Sequence, residues 1–221
     1  MKLTCFELQN PIEITEGKIF TLVLENPTFY RNFIGDLLLQ SNGESDRFSL
    51  YDENGDYDIR KNAEIITDIF NISFDSRQIS NKINQIVTDE FYLSEINAEK
   101  LLSGINEIGT TILSRLDFNA IYNPIEDVNG ILKLFGFSFD YESLSLVERI
   151  MEYLDFLNRY FDKKLFILIN LKTILSQSEY SEFVKFLNYK KIKVLLIEDH
   201  KREIQDRNEE IRIIDTELCE F

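Results

Sequence analysis

Two short segments of the chain, Leu165 to Ile169 (LFILI) and Val194 to Ile197 (VLLI), are apolar at every position. A strand with one face in water alternates apolar and polar residues, whereas a strand covered on both faces does not. The two runs therefore predict central strands of a mainly parallel sheet with a layer on each side. Phe20 to Leu24 (FTLVL) and Ile211 to Ile214 (IRII) add two further strands, and helical or polar stretches separate all four. The fold class this predicts is α/β.

After the first of these strands comes Glu25-Asn26-Pro27, and then a helical pattern with Phe29, Phe33, Leu37 and Leu38 on one face. Asn26 is a good N-cap and Pro27 suits the first helical position. In a nucleotide-binding α/β protein this turn is a glycine-rich loop that cradles phosphate with main-chain N–H groups. Here it has no glycine and no lysine, and it carries a carboxylate. The apolar run Leu165 to Ile169 occupies the place of the strand whose terminal carboxylate holds magnesium, yet Asn170 follows it. The sheet is that of a degenerate P-loop NTPase scaffold without its chemistry, and ATP hydrolysis is not expected.

Ser178 to Asn188 predicts a second crossover helix, with Tyr180, Phe183, Val184 and Leu187 inward. Leu3 to Leu8 and Ile12 to Ile14 predict a small leading hairpin around Pro11, and Arg47 to Ile59 a second one turning at Asn54-Gly55. The alternating oxygens of Asp52 to Asp58 suggest a calcium loop. Gly55 falls at the fourth rather than the sixth loop position, however, and a type I′ turn is the better reading.

From about Asn62 to Phe161 the period becomes helical: Ile79, Ile83, Ile86 and Val87; then Leu101, Leu102, Ile105, Ile108, Ile112 and Leu116; then Leu146, Ile150, Leu154 and Leu157. Asp75 and the box from Ser145 to Glu148 supply helix starts. Residues 62–161 are thus predicted to be a helical insert in an α/β domain made of residues 1–61 and 162–221.

The net charge is −15, from 39 acids against 24 bases. That excludes nucleic-acid binding through overall charge, but not through a locally basic concave surface. No run reaches the roughly 18 apolar residues of a membrane helix, and Lys2 is followed by no signal-type stretch, so a cytoplasmic protein is expected. Only Cys5 and Cys219 occur, with no histidine near either, so neither a disulfide scaffold nor a catalytic thiol is expected. Glu198-Asp199-His200 ends a buried strand and is chemically possible as a metal or acid–base cluster. Its plainer reading is a solvated loop histidine beside acids.

Leu116 to Val128 (LDFNAIYNPIEDV) breaks the helical period and carries Asp117, Asn119, Asn123, Glu126 and Asp127. Hard oxygens in an irregular loop suit calcium; from the residues alone an ordinary polar loop is favoured. The cations Arg60-Lys61, Arg77 with Lys82, Lys163-Lys164 and Lys190-Lys191-Lys193 each read individually as solvated faces. Repeated around an assembly, a few of them would hold a polyanion through phosphate contacts alone.

Several spaced segments, taken together, carry a family resemblance: Pro11-Ile12-Glu13-Ile14, Thr21-Leu22-Val23-Leu24-Glu25, Ile66-Thr67-Asp68-Ile69-Phe70, Leu132-Lys133-Leu134-Phe135-Gly136-Phe137 and Lys163 to Asn170. With the stripped nucleotide scaffold and the long helical insert, the chain resembles the Csn-two family, adaptation proteins of type II-A CRISPR–Cas systems. The resemblance implies an α/β head and a helical leg, a ring-shaped homotetramer stabilised by calcium, and a lysine-lined hole. That hole takes double-stranded DNA from its ends, without sequence preference and without cutting, in support of spacer acquisition. It further implies, as partners, the spacer-integration machinery and the RNA-guided nuclease of the same system. Carried onto this chain, the calcium candidates are Asp117, Asn119, Glu126 and Asp127, in a loop that differs in length from some relatives around Ala120 to Tyr122. The DNA candidates are Arg60, Lys61, Arg77, Lys82, Lys133, Lys163 and Lys164. No catalytic residue is expected. The rival is an ATP- or metal-dependent enzyme acting on nucleic acid through Glu198, Asp199 and His200.

Overall fold

The computed structural model describes all 221 residues. They divide into two compact units, one formed by Met1–Ile72 with Ser143–Phe221 and the other by Ser73–Glu142.

In the first unit, β1 (Lys2–Thr4) and β2 (Ile12–Glu13) form the leading hairpin, followed by β3 (Ile19–Leu24), α1 (Pro27–Ser41), β4 (Ser49–Asp52), β5 (Gly55–Tyr57), α2 (Ile59–Asn62) and β6 (Ala63–Ile66). The second unit supplies α3 (Arg77–Leu93), α4 (Ala98–Leu113) and α5 (Val128–Leu134). The chain then returns to the first unit for α6 (Leu146–Tyr160), β7 (Leu165–Ile169), a 3₁₀ turn (Leu171–Thr173), α7 (Gln177–Lys190), β8 (Val194–Glu198) and β9 (Glu209–Ile214).

The main sheet has the order β6-β7-β8-β3-β9 and every pair in it is parallel. The predicted strands are all present, and β3, β7 and β8 are buried at every residue. Side chains alternate between the two faces of a sheet. Phe20, Leu22, Leu24, Leu165, Ile167, Ile169, Leu195 and Ile197 share one core with Phe33 and Leu37 of α1. The intervening residues are buried too, so a second layer is required. Helices α6 and α7 supply it, packing against each other and burying Leu154, Leu157, Phe183 and Leu187. The small antiparallel sheet, β2-β1-β4-β5, adds Leu3, Ile12 and Leu50 to the α1-side core.

Three expectations change. The boundaries fall at 72/73 and 142/143 rather than 61/62 and 161/162, because β6 pairs with β7 and α6 packs on α7. The second hairpin turns at Glu53-Asn54, and neither residue has positive φ, so a type I′ turn does not form. Gly55 instead takes φ 130° beside the turn. Helix α3 is capped by Ser76, whose hydroxyl accepts the Ile79 N–H at 3.2 Å; Asp75 accepts from the Tyr141 hydroxyl at 2.5 Å.

A buried ion pair crosses the sheet. The Lys172 ammonium, beyond the end of β7, pairs with the Glu209 carboxylate at the start of β9; the Thr21 hydroxyl of β3 donates to the same oxygen. The second Glu209 oxygen takes the Asp206 N–H at 3.2 Å, and the Lys172 ammonium lies 5.1 Å from the Tyr180 ring centre. Removing one partner strands a buried charge. In equilibrium denaturation, Lys172→Ala should cost about 3–5 kcal/mol, and Lys172→Met with Glu209→Leu should recover most of that loss.

Candidate functional site

Open parallel sheets place their sites at the carboxyl ends of the strands. Here that end is occupied by the chain itself. The Asn26 side-chain oxygen accepts the N–H groups of Thr28 and Phe29 at 3.1 and 3.0 Å, filling the position an anion takes at a helix N-terminus. Its amide nitrogen donates to the Thr216 carbonyl at 3.0 Å, and the Glu25 N–H donates to the Ile214 carbonyl at 2.9 Å. The C-terminal turn is thereby tied to the turn where phosphate would bind. Asn170, in the left-handed region at φ 55°, accepts the Asp199 N–H at 3.1 Å and donates its own N–H to Ile197. It fixes backbone.

Glu198 closes β8 and is fully buried. One oxygen accepts the Lys172 N–H at 3.0 Å; the other has no hydrogen-bond partner, and the Arg202 Nε lies 3.8 Å away. Burial raises its pKa from the ordinary 4.5 to about 7, against the pull of the Lys172 N–H and the charges of Lys172 and Arg202. Tyr30 nearby is pushed up to about 12 by burial and by the charge of Asp199. His200 pairs with Asp199 at 2.7 Å, both side chains about half exposed. These residues meet, but they surround no group of three or more metal-binding side chains.

In the second unit, the irregular loop after α4 is folded back onto that helix. Asn106 clamps it, donating to the Ile125 carbonyl and accepting the Ile125 N–H, both at 2.9 Å. The Tyr122 ring packs against Gly109, where an added Cβ would stand 2.8 Å from the ring, and its hydroxyl donates to the Asn106 carbonyl at 3.2 Å. Nothing in the spacing of the sequence announced this clamp. The loop leaves Asp117, Asn119 and Glu126 exposed, while Asp127 caps α5 by accepting the Gly130 N–H at 3.3 Å. Calcium needs six to eight oxygens at 2.3–2.6 Å. Within one chain the four candidates do not converge on such a shell, and no cluster of three acidic, histidine or cysteine side chains is formed. They do not fit calcium as a single-chain site.

The cations separate into two groups. Lys163 is turned inward, donating to the Ala63 carbonyl at 2.7 Å and pairing with Glu64 at 3.1 Å. Arg60 pairs with Asp58 at 3.3 Å, and Lys164 lies over the Tyr57 ring with Asp162 at 4.0 Å. Lys190 and Lys193 pair with Asp155 and Glu16. Lys61, Arg77 and Lys133 are exposed and have no carboxylate partner, and Lys82 donates to Gln85 at 3.2 Å. Arg77, Lys82 and Lys133 all belong to the second unit.

The buried Glu198 makes stability pH-dependent. Its folded pKa is raised, so its protonated form favours the fold. That contribution is complete below 4.5 and is lost as the pH rises through about 7. At about 1.4 kcal/mol per unit, the full swing is about 3 kcal/mol. Chemical denaturation from pH 4.5 to 8.5 should therefore show Glu198→Gln gaining on the wild type as the pH rises; parallel profiles would contradict this.

Comparison with curated proteins finds no match. Among solved structures, the chain is similar to a putative ABC transporter ATP-binding protein from Pyrococcus furiosus (TM-score 0.41, 11% identity, 96% of this chain and 97% of that one). It is also similar to the ADP conformation of an ATP-binding cassette of an ABC transporter (0.40, 13%, 88% and 75%) and to cbiO1 from Clostridium perfringens, part of the ABC transporter complex cbiONQ (0.38, 16%, 88% and 72%). Likeness at these scores carries no argument about function. The family model described as CRISPR-associated protein (Cas_Csn2) matches residues 40–218, which include the end of α1, the whole second unit and four strands of the main sheet. The chain belongs to the Cas_Csn2 family of CRISPR-associated proteins.

Proposed function

We propose that the chain is a non-catalytic, sequence-independent binder of double-stranded DNA that works as a homotetrameric ring and supports spacer acquisition in antiviral defence. The observation that carries this reading is helix α4. It runs for 16 residues with none buried, although its apolar residues follow one helical face. Ile108 and Ile112 are 61% and 55% exposed. An exposed apolar face of this kind marks an interaction surface, and in a symmetric homo-oligomer its partner is a surface of another copy of the chain.

Assembly accounts for the charge. A chain with net charge −15 repels phosphate overall, so DNA is held only where cations without carboxylate partners are brought together. Lys61, Arg77 and Lys133 have that character. Calcium belongs to this reading as a property of the assembled ring, since one chain does not gather its ligands. The spacer-integration machinery and the RNA-guided nuclease of the same CRISPR system are the partners it implies. Asn26 capping α1 and Asn170 bound to backbone support a scaffold that does not turn over nucleotide. The rival, an enzyme working through Glu198, Asp199 and His200, draws support from the raised Glu198 pKa alone.

Gel shifts should retain linear duplex and not covalently closed circles of the same sequence, as threading from ends requires; equal retention of both overturns the ring. Ile108→Asp with Ile112→Asp should reduce the particle to smaller species in light scattering, and EDTA should do the same to the wild type. Labelled ATP with linear duplex should give no hydrolysis above background.

A further inference from the structure

Helix α3 contains no carboxylate from Arg77 to Thr88, in a chain where 39 of 221 residues are acidic. Its apolar residues Ile79, Ile83, Ile86, Val87 and Phe91 take one face. Asn81, Asn84, Gln85 and Thr88 follow at i, i+3, i+4 and i+7 on another. These four line one wall of a cleft of about 590 Å³ in the second unit, and Asn129 and Lys133 contribute to the opposite wall from α5. Thr88 is already bonded to Asn129 at 2.8 Å, and Gln85 accepts from Lys82; the side chains of Asn81 and Asn84 make no hydrogen bond within the fold.

A row of carboxamides offers a donor and an acceptor at each position and carries no charge. Asp89 and Asp127 also line the cleft. A carboxylate repels a phosphate oxygen but accepts from base amino groups, so the lining suits the edges of a DNA groove better than the phosphate ridge. An α-helix fits the major groove in width. We propose that the carboxamide row Asn81, Asn84 and Gln85 is the surface that the second unit lays against the groove edges of duplex DNA, with Lys82 and Lys133 on the flanking phosphates. This rests on the DNA-binding reading above and adds to it a class of contact that phosphate neutralisation does not supply. Because each carboxamide rotates to present either end, the contact adapts to the donor or the acceptor that a base edge presents.

Neutral and ionic contacts differ in their response to salt. Affinity for a linear duplex is measured across sodium chloride concentrations by fluorescence anisotropy. The triple variant Asn81→Ala, Asn84→Ala, Gln85→Ala should bind about fivefold or more weakly, the loss of a few ordinary hydrogen bonds, with the wild-type salt slope kept. Lys82→Ala with Lys133→Ala should lower the slope by about 0.9 for each lysine removed. Alanine favours helix, so unchanged far-UV circular dichroism verifies the fold. As a second variant, Asn84→Asp with Gln85→Glu keeps the shapes but removes the carboxamide donors, and it should also weaken binding. Wild-type affinity in both amide variants overturns the proposal, as does a triple variant whose salt slope falls like that of the lysine variant. A wild-type protein that binds no duplex overturns the DNA-binding reading itself, a result distinct from either.

Discussion

The Glu209 carboxylate holds together segments that are far apart in the chain. It accepts from Lys172 beyond β7, from Thr21 in β3 and from the Asp206 main chain, so the last strand is fixed to the first strand of the parallel sheet and to the segment after the middle one. β9 lies at the sheet edge and joins only β3 within the main sheet. Buried ion pairs contribute little net stability against an apolar alternative, but they penalise every arrangement that separates the charges. Here the penalised arrangement is a displaced β9, and with it the C-terminal turn that β9 carries to Asn26.

That chain of dependence ends at the carboxyl end of the sheet, where α1 begins. With β9 in place, Ile214 and Thr216 are delivered to Glu25 and Asn26, and the helix terminus is capped from within. A P-loop leaves those N–H groups open to an anion; this fold consumes them. Glu198 then has no substrate to serve in the proposed function, and its raised pKa is a consequence of burial, which outweighs the main-chain donor of Lys172. In the proposed function the work shifts to the second unit, where α4 leaves Ile108 and Ile112 uncovered and α3 carries a helix surface free of acid from Arg77 to Thr88.

Much of the first unit was legible in the sequence, because all-apolar runs and the Asn26-Pro27 start report local covalent and solvation preferences. β6 was not. Ala63–Ile66 is four residues with one glutamate, too short for periodicity, and its pairing with β7 lies across the whole second unit in sequence. The period of α6 was readable, but its allegiance was not, since a helical stripe says that a face is covered and not by what. The same limit applies to α4, whose stripe reads as inward-facing, yet Leu101, Leu102 and Ile105 are only half-buried and Ile108 and Ile112 are exposed. In the site region, Asn26 and Asn170 were found as substitutions for expected residues. The Asn106 clamp and the inward turn of Lys163 depend on contacts distant in sequence or on carbonyls any residue would offer. Asp75 and Ser76 are both good caps, and the competing Tyr141 hydroxyl assigned Asp75 elsewhere.

In the proposed function DNA is held only by an assembly, through cations without carboxylate partners. Native mass spectrometry of the protein with one short linear duplex tests it most directly. A ring around DNA gives a dominant complex of four chains of 26.1 kDa each with a single duplex, and no complex of one chain with DNA. A one-chain complex as the main DNA-bound species would contradict it.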